Sequence, residues 1–295
     1  MKIALIANPY SGHHSTRKHL PLVKKSLDDM NIQADIFISK SQDHIKTILI
    51  RLDIHKYDAV VAMGGDGTNF HMLNGLLSRY TPADLPPLGI IPAGSGNSFS
   101  KDLGINNIKE GLQALKKNCP RPVDMISFIN DKETFYFVNL MGFGFVTDVA
   151  VTAQRFKRVH DLSYLIGVLH RTALLSFHHM ELEIDGHLIS GPNCFVEFCN
   201  SRYTGGNMLM APQAKIDDGL MDIIITGPMT KKRLLGALPK IYTGSHVNMN
   251  EVTCIQAKRA EIRTSPSKTL LPDGEIMGHT PGIVQVIPKA LRYLS

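Results

Sequence analysis

The segment Gly64-Gly65-Asp66-Gly67-Thr68 directly follows the apolar run Asp58–Met63, and it is the strongest indication of the fold in this chain. Glycine permits positive φ and lets backbone N–H groups approach a phosphate closely, so a strand followed by this turn predicts a phosphate-binding loop. The Asp66 carboxylate would repel a phosphate. An acid in such a loop is therefore typical of a site where a divalent cation or a reacting hydroxyl lies between the two charges. The pattern indicates phosphoryl transfer rather than simple nucleotide binding.

The composition is that of a globular protein with more than one domain. The chain has 295 residues, of which 43% are hydrophobic and 20% are charged, enough for two ordinary domains with buried cores. The net charge of +6 favours polyanionic partners such as nucleotides or an anionic membrane surface. No nucleic-acid-binding motif accompanies this charge, so we expect no nucleic-acid partner.

Targeting signals are not evident in the sequence. The apolar stretch in Met1–Asn8 is shorter than a signal peptide needs, and no apolar run reaches the length of a membrane span. The four cysteines lack metal-ligand spacing and are expected to be reduced thiols. We therefore expect a cytoplasmic protein, with peripheral contact at the inner face of the membrane left open. Its oligomeric state is also open, with a homodimer as one alternative.

Strand-like and helix-like segments alternate over residues 1–124. Apolar runs predict strands at 2–7, 34–38, 58–63 and 88–91. Apolar residues at helical spacing predict helices at 16–30, 45–52 and 108–117. This alternation predicts a parallel sheet with helices on both faces. Ligands bind beyond the carboxyl ends of such strands, where three glycine-containing turns lie: Asn8–Gly12, Gly64–Thr68 and Pro92–Asn97.

The pattern changes near Pro120-Arg121-Pro122. Strand-like runs then dominate, with interrupting helices: strands at 123–129, 134–140, 194–200, 220–226, 252–264 and 282–287, and helices at 148–159, 162–175 and 231–241. We therefore expect an α/β domain over residues 1–124 and a β-rich domain with inserted helices over residues 125–282.

Two further loops are candidates for nucleotide contact. Asn8, Ser11 and Gly12 lie in a turn that could contact phosphate or ribose, although an ordinary turn with a helix cap is the commoner explanation. The segment Pro92–Ser98 follows another strand and is small enough to approach a nucleotide closely. Loops at the ends of strands in one sheet converge on one crevice, so their combination favours a binding site.

Three carboxylate-bearing segments have competing interpretations. Asp124 is either a structural cap or a member of a metal network. The segment Lys215–Leu220 is either a β-turn or a cation site in which Asp218 gives a carboxylate and the chain gives backbone carbonyls. Asp273-Gly274-Glu275 is either a hairpin turn or a rigid support for a general base.

Taken together, these motifs resemble the diacylglycerol kinase catalytic-domain family in order and spacing, over essentially the whole chain. That family includes soluble bacterial lipid kinases, sphingosine kinases and ceramide kinases. The resemblance implies an N-terminal α/β domain like that of phosphofructokinase and NAD kinase, followed by a C-terminal β-sandwich domain that holds the lipid. It also implies that ATP and Mg²⁺ bind between the domains, and that a final segment, about 283–295, returns to the first domain.

The resemblance further implies roles for individual residues. Glu275 is expected to be the catalytic base, and Asp66 to orient Mg²⁺ or the acceptor hydroxyl. Mg²⁺ is expected near Lys215, Asp218, Leu220 and Asp124. The remaining residues are expected to contact ATP: Asn8, Ser11, Gly12, Ser39, Gly64, Gly65, Asp66, Gly67, Thr68, Asn69, Phe70, Gly94, Ser95, Gly96, Asn97 and Asp273.

The acceptor lipid is less closely indicated. Asp148 lies in a segment that resembles the one where sphingosine kinases place an acid near the substrate's amine, although a helix N-cap explains it equally well. The apolar stretch Leu162–Leu169 is the best candidate for an acyl-chain pocket. Basic clusters at 155–158 and 231–233 suggest contact with an anionic bilayer that presents the lipid, although a solvated helix face is the default explanation.

Two alternatives to an ATP-dependent lipid kinase stay open. NAD kinases share a Gly-Gly-Asp-Gly loop, but the Pro92–Asn97 loop and Asp273-Gly274-Glu275 argue against that assignment. A catalytically silent sensor of nucleotide or lipid is suggested by His71, which stands where the family usually has a glutamate.

Overall fold

Four parallel strands organise the N-terminal half of the computed structural model, which describes residues 1–12, 14–155 and 162–295. They lie in the order β2-β1-β3-β4, namely β1 (Lys2–Ala7), β2 (Gln33–Ile38), β3 (Ala59–Gly64) and β4 (Leu88–Pro92). The helices of this half are α1 (Ser15–Asp29), α2 (Gln42–Arg51), α3 (Asp66–Leu77), α4 (Ser98–Asp102) and α5 (Ile108–Lys117).

Helices cover both faces of this sheet, which explains why its central strands are continuous apolar runs. On one face Ile6 and Val60 pack in a cluster with α2 and α3, and on the other Leu5 and Val61 pack with α1 and α5. The parallel sheet predicted from the alternating pattern is therefore confirmed.

The C-terminal half consists mainly of strands. They are β5 (Pro120–Ile129), β6 (Thr134–Phe137), β7 (Leu140–Gly144), β8 (His178–Ile184), β9 (His187–Asn193), β10 (Phe195–Cys199), β11 (Tyr203–Thr204), β12 (Met208–Leu209), β13 (Met221–Thr226), β14 (Val252–Ala257), β15 (Arg259–Ser265), β16 (Thr269–Pro272), β17 (Met277–His279) and β18 (Gly282–Leu294). Three helices interrupt them: α6 (Phe145–Arg155), α7 (Leu162–Ala173) and α8 (Lys231–Thr243).

These strands form a sandwich of two sheets. One sheet has the order β14-β13-β10-β7-β16-β17, and the other contains β5, β6, β18, β15, β8 and β9. Aromatic side chains from both sheets, among them Phe128, Phe135, Phe143 and Phe198, are buried between them. The outer face of the first sheet packs against α6, α7 and α8. The β-rich domain with inserted helices is therefore also confirmed.

The last strand links the two halves. Tyr293 of β18 pairs in parallel with Leu88 of β4, while the same strand pairs antiparallel with β5 and β15. One sheet therefore runs from the α/β half into the sandwich. None of the helices in the described ranges is long and apolar enough to cross a membrane.

Some predicted elements differ from the structure because local patterns do not show where a strand changes sheets. The run 252–264 was expected to be one strand, yet it divides into β14 and β15, which belong to different sheets. Asp185 stabilises the break by accepting the N–H groups of Lys258 and Arg259. The β8–β9 hairpin was missed, although its turn, Asp185-Gly186, is a standard hairpin signal.

Candidate active site

Three loops at the carboxyl ends of β1, β3 and β4 pack backbone against backbone. A Cβ atom added to Gly94 would lie 2.3 Å from the Cα of Gly65, and one added to Gly12 would lie 2.3 Å from the carbonyl oxygen of Ala93. No side chain fits at Gly12 or Gly94, so glycine is required there for the close approach of the loops and not for flexibility alone. The structure thus brings together the three loops that were predicted from the sequence to converge on one crevice.

The central loop is shorter than its sequence suggested. Gly64 is the last residue of β3, Gly65 is the N-cap of α3, and the helix begins at Asp66. The N–H groups of this first turn lie at the positive end of a helix dipole, which favours an anion. Thr68 contributes its hydroxyl group to the loop contacts by accepting a bond from Asn8 Nδ2 at 3.3 Å.

The side chains of Asn69 and Phe70 contact the C-terminal half of the chain, so their expected contact with ATP, which stays a prediction, would use backbone groups. Asn69 accepts a hydrogen bond from the Tyr293 hydroxyl at 3.0 Å. Phe70 is buried against Phe135 in the sandwich core. Both are in the first turns of α3, where consecutive residues point in different directions, so they attach the helix to the C-terminal half.

Asp66 has a structural contact that its sequence did not reveal. Its two carboxylate oxygens accept the backbone N–H groups of Ser98 and Phe99, at 2.9 and 3.1 Å, and so cap helix α4. Burial raises the pKa of Asp66, while these two N–H bonds act in the opposite direction. Each oxygen keeps a second lone pair, so the cap is compatible with metal or hydroxyl contact.

The Asn97 side chain shapes the loop after β4, and its expected nucleotide contact stays a prediction. Its φ is 53°, and its side chain both accepts from the Gly94 N–H and donates to the Gly94 carbonyl. Ser95 is exposed at the loop tip. Within the described residues the N–H groups of Ser95 and Gly96 form no hydrogen bond, so they are available to a phosphate.

Ser39 lies at the end of β2 and is buried, with 1% of its surface exposed. Its backbone N–H bonds to the Ala7 carbonyl, but its hydroxyl has no partner in the described part of the chain. A buried hydroxyl without a partner costs free energy, and its position beside the β1 loop fits a ligand that supplies the missing bond.

We expect Ser39→Ala to weaken ATP binding by about twofold to tenfold, because one neutral hydrogen bond contributes roughly 0.5–1.5 kcal/mol. Thermal stability should be unchanged or slightly higher, since the removed hydroxyl has no partner within the protein. Titration calorimetry with ATP measures the first effect and a melting curve the second. Ser26→Ala on α1 is the control, and equal ATP affinity in both variants would contradict the assignment.

Glu275 lies beside the start of α3, although it belongs to the other half of the chain. A Cβ atom on Gly67 would lie 2.3 Å from Glu275 Oε1, so glycine at this position makes room for the carboxylate. Gln42 Nε2 donates to both carboxylate oxygens, at 2.9 and 3.0 Å. His71 Nε2 lies 3.4 Å from Oε2. Gln42, at the start of α2, was missed because nothing in the sequence relates it to Glu275.

Asp273 lies in the turn before Glu275, near Asp66 of the central glycine loop, and its expected contact with ATP stays a prediction. It is buried and accepts the N–H groups of Val138, Asn139 and Leu140. Burial, followed by the nearby charge of Asp66, raises the pKa of Asp273 to about 8, although the three N–H bonds act to lower it. The contacts fix the turn that carries Glu275, so Asp273 positions the candidate base.

Three of the expected metal residues, Lys215, Asp218 and Leu220, lie on a loop before β13, and Asp124 of β5 contacts this loop. Asp218 is exposed and accepts the Leu220 N–H at 3.0 Å, and Lys215 is exposed on the same loop. Asp124 uses its carboxylate oxygens to accept the N–H groups of Gly219 and Lys289, each at 2.6 Å. Asp124 therefore stabilises this loop through its hydrogen bonds. This contact agrees with a structural role for Asp124, and its role in a metal network stays a prediction.

The oxygen donors of this loop are chemically suited to a hard divalent cation. Burial, and then the charge of Asp218, raise the pKa of Asp222 to about 6, so a cation here would relieve repulsion between two carboxylates. The described residues contain no cluster of three or more histidine, cysteine or acidic side chains suited to a metal. Any cation would therefore depend on backbone carbonyls as well as on Asp218.

An apolar cavity of about 260 Å³ lies between the outer face of the six-stranded sheet and helices α6, α7 and α8. Its wall includes Gly274, the residue before Glu275, so the cavity extends to the turn that carries the candidate base. Val168 also lines it, as the apolar stretch predicted, whereas the side chains of 162–165 are outside the described residues. The predicted basic cluster at 155–158 is outside them too.

Asp148 is not among the described residues that line this cavity, and its expected contact with the lipid stays a prediction. Helix α6 begins at Phe145, so Asp148 lies in its first turn and not at the N-cap. It lies near Cys194, where burial and then the Asp148 charge raise the pKa of the thiol to about 12. Among the described residues, the carboxyl group that lines the cavity is that of Glu197, which was missed because it lies within an ordinary apolar strand.

Comparisons with known proteins agree with this architecture. A model of the diacylglycerol kinase catalytic domain matches residues 2–128, and a model of the YegS C-terminal NAD kinase beta sandwich-like domain matches residues 139–295. A diacylglycerol kinase of Bacillus subtilis is 26% identical over 283 residues, which cover 94% of this chain and 91% of that protein. Sphingosine kinase 1 of Arabidopsis thaliana is 26% identical, over 87% of this chain and 63% of the plant protein.

A solved structure supports the same assignment. The crystal structure of a diacylglycerol kinase from Bacillus anthracis is 25% identical and has a TM-score of 0.80, covering 99% of this chain and 96% of that one. The two domain models together span both halves of the chain, and this structural likeness extends over nearly all of it. The chain therefore belongs to the diacylglycerol kinase catalytic-domain family of lipid kinases.

Proposed function

We propose that this protein transfers the γ-phosphate of ATP to a primary hydroxyl of a lipid, with Mg²⁺, and that the acceptor is of the diacylglycerol or sphingoid-base type. The observation that carries the proposal is the position of Glu275. Its carboxylate lies beside Gly67, next to the loops where a nucleotide would bind, and the preceding residue Gly274 lines the apolar cavity where a lipid would bind.

The residues of the α/β half fit the triphosphate of ATP. Phosphate oxygens would bind to the N–H groups of Ser95 and Gly96, which form no hydrogen bond within the described residues, and to the first turn of α3. The Ser39 hydroxyl, which has no partner in the described residues, would donate a hydrogen bond to the nucleotide. ATP would supply the phosphoryl group and Mg²⁺ would neutralise its oxygens. Because phosphoryl transfer depends mainly on positioning and charge stabilisation, closely packed loops suit this task.

The residues of the other half would orient the acceptor. Glu275 would accept the hydroxyl proton at a carboxylate oxygen as the new oxygen–phosphorus bond forms. Gln42, which donates to both of these oxygens, would hold the carboxylate in place, and Asp273 would fix the turn beneath it. Asp66 would orient the metal or the hydroxyl from the opposite wall.

Helix α8 has features suited to contact with a bilayer. Its inner face lines the cavity, whereas Lys232, Leu235 and Tyr242 lie on its exposed side, with Leu235 and Tyr242 exposed by 39% and 60%. An exposed face that combines apolar side chains with lysine is typical of peripheral binding to anionic membranes. A lipid could then enter the cavity directly from the membrane.

We expect Lys232→Glu to weaken binding to anionic vesicles by roughly 2 kcal/mol, about thirtyfold, since each charge near the surface contributes about 1 kcal/mol. Co-sedimentation with phosphatidylserine vesicles at low salt measures this effect. Lys25→Glu on α1 is the control with the same change in net charge. Equal losses in both variants would show that only total charge matters and would exclude this face.

Phosphorylation of a total lipid extract with labelled ATP, followed by mass identification of the product, tests the proposed reaction. A phosphorylated lipid that requires both Mg²⁺ and Glu275 is the expected result. NAD is included as a separate acceptor. Phosphorylation of NAD and not of any lipid would contradict the proposal, and so would ATP binding without any phosphorylated product.

A further inference from the structure

Glu197 is a buried carboxyl group without a hydrogen-bond partner in the wall of the apolar cavity. It lies on β10 with 3% of its surface exposed, and the described residues provide no partner for its oxygen Oε2. A buried unpaired carboxyl destabilises a fold, and a methionine or leucine would fill the same space at lower cost. Its presence therefore calls for a ligand.

The neighbouring strand makes room for this side chain. Glu197 is opposite Gly142 of β7, and a Cβ atom on Gly142 would lie 2.6 Å from Glu197 Oε2. The carboxyl group thus lies directly over Gly142. Leu271 of β16 is the next residue across the sheet, and β16 ends at Pro272, three residues before Glu275. Since adjacent strands are about 4.8 Å apart, the carboxyl group lies about one strand spacing from the strand that leads to the candidate base.

The titratable groups that line the cavity favour an uncharged ligand. Burial is the cause that raises the pKa of Glu197, to about 8, so the carboxyl group is largely protonated at neutral pH and can donate a hydrogen bond. His246 is the other titratable group in the described wall. Burial lowers its pKa, and its Nε2 bonds to the Met210 carbonyl. The wall therefore presents one acidic O–H donor and no fixed charge.

We propose that Glu197 recognises the acceptor lipid by donating a hydrogen bond to an ester or hydroxyl oxygen of an uncharged glycerolipid. This inference rests on the proposed lipid-kinase function and adds the lipid class and the residue that selects it. In an acylglycerol an ester oxygen is only a few bonds from the free hydroxyl. Glu197 would hold the former while Glu275 faces the latter. A sphingoid base would bring an ammonium group instead, and burying this charge beside an ionised Glu197 costs desolvation energy that an uncharged glycerolipid avoids.

Two variants separate hydrogen bonding from packing. Glu197→Gln keeps the shape and an N–H donor, whereas Glu197→Met keeps the approximate volume and removes both donor and acceptor. We expect Glu197→Met to raise the KM for dioctanoylglycerol about tenfold, the effect of one lost hydrogen bond in an apolar site, with the KM for ATP unchanged. Glu197→Gln should stay close to wild type. The melting temperature of Glu197→Met should equal or exceed that of wild type, which a merely structural role would not produce.

Calorimetric binding of dioctanoylglycerol and of sphingosine to the full-length protein decides the inference whether or not turnover is seen. Weaker dioctanoylglycerol binding by Glu197→Met, with Glu197→Gln close to wild type, supports it. Equal binding by all three proteins overturns it, and so does tighter binding of sphingosine than of dioctanoylglycerol by wild type. Weaker dioctanoylglycerol binding by Glu197→Met than by wild type and Glu197→Gln, without phosphorylation of any lipid, would instead refute the proposed function and leave the role of Glu197 supported.

Discussion

Glu275→Gln is expected to lower kcat by at least a hundredfold while ATP binding stays largely unchanged. The substitution keeps the size of the side chain and one acceptor oxygen for Gln42 Nε2, but an amide accepts a proton far less readily than a carboxylate. General base catalysis typically contributes 10²- to 10⁴-fold, so the loss should fall in that range. Phosphorylation of the lipid identified as acceptor and titration calorimetry with ATP measure the two quantities.

The control for this prediction is Glu183→Gln. Glu183 is an exposed carboxylate on β8, so the same chemical change there should leave kcat unaltered. Near-wild-type turnover by Glu275→Gln would remove Glu275 from the role of base. A parallel loss of ATP binding would show instead that Glu275 acts on the nucleotide.

Gly94→Ala is expected to weaken ATP binding by about a hundredfold. The added Cβ atom would lie 2.3 Å from the Cα of Gly65, and neither backbone atom can rotate away. The loops after β3 and β4 must then separate by about 1 Å, a displacement that can reduce the effect of a positioned site about a hundredfold. The overpacking should also cost roughly 1–3 kcal/mol of folding stability.

Gly236→Ala is the matched control for Gly94→Ala. Gly236 lies within α8 and has no atom within 4 Å of its added Cβ. Alanine there should stabilise the protein by about 0.5–1 kcal/mol without changing ATP affinity. Calorimetry is carried out at a temperature where circular dichroism shows both variants folded. Wild-type affinity in folded Gly94→Ala would show that the loops do not need this close contact.

Two features of the fold could be predicted because they depend on local chain properties. The alternation of apolar runs and helical spacing in the first half predicts the parallel sheet, since side-chain periodicity reflects the geometry of each element. The glycine loops could be located because they follow strands. By contrast, the division of 252–264 between two sheets depends on Asp185, which is distant in the sequence.

The candidate site was only partly predictable for the same reason. The sequence singled out Glu275 but not Gln42, which contacts it from 233 positions away. It also assigned Phe70 to the nucleotide, whereas the side chain packs in the sandwich core. Which way a side chain points after a loop depends on the exact residue at which the helix begins, and that is the least predictable part of a helix.

The sequence by itself determined the fold class, the glycine loops and the family, because these are expressed in local patterns and in their order along the chain. Only the tertiary structure decided which polar groups meet and which are removed from water. Gln42 reaches Glu275 through packing of the two halves, and Glu197 becomes a neutral donor only because helices and a sheet enclose it. Contact and desolvation are properties of the packed molecule, so they determine the chemistry of the site only after folding.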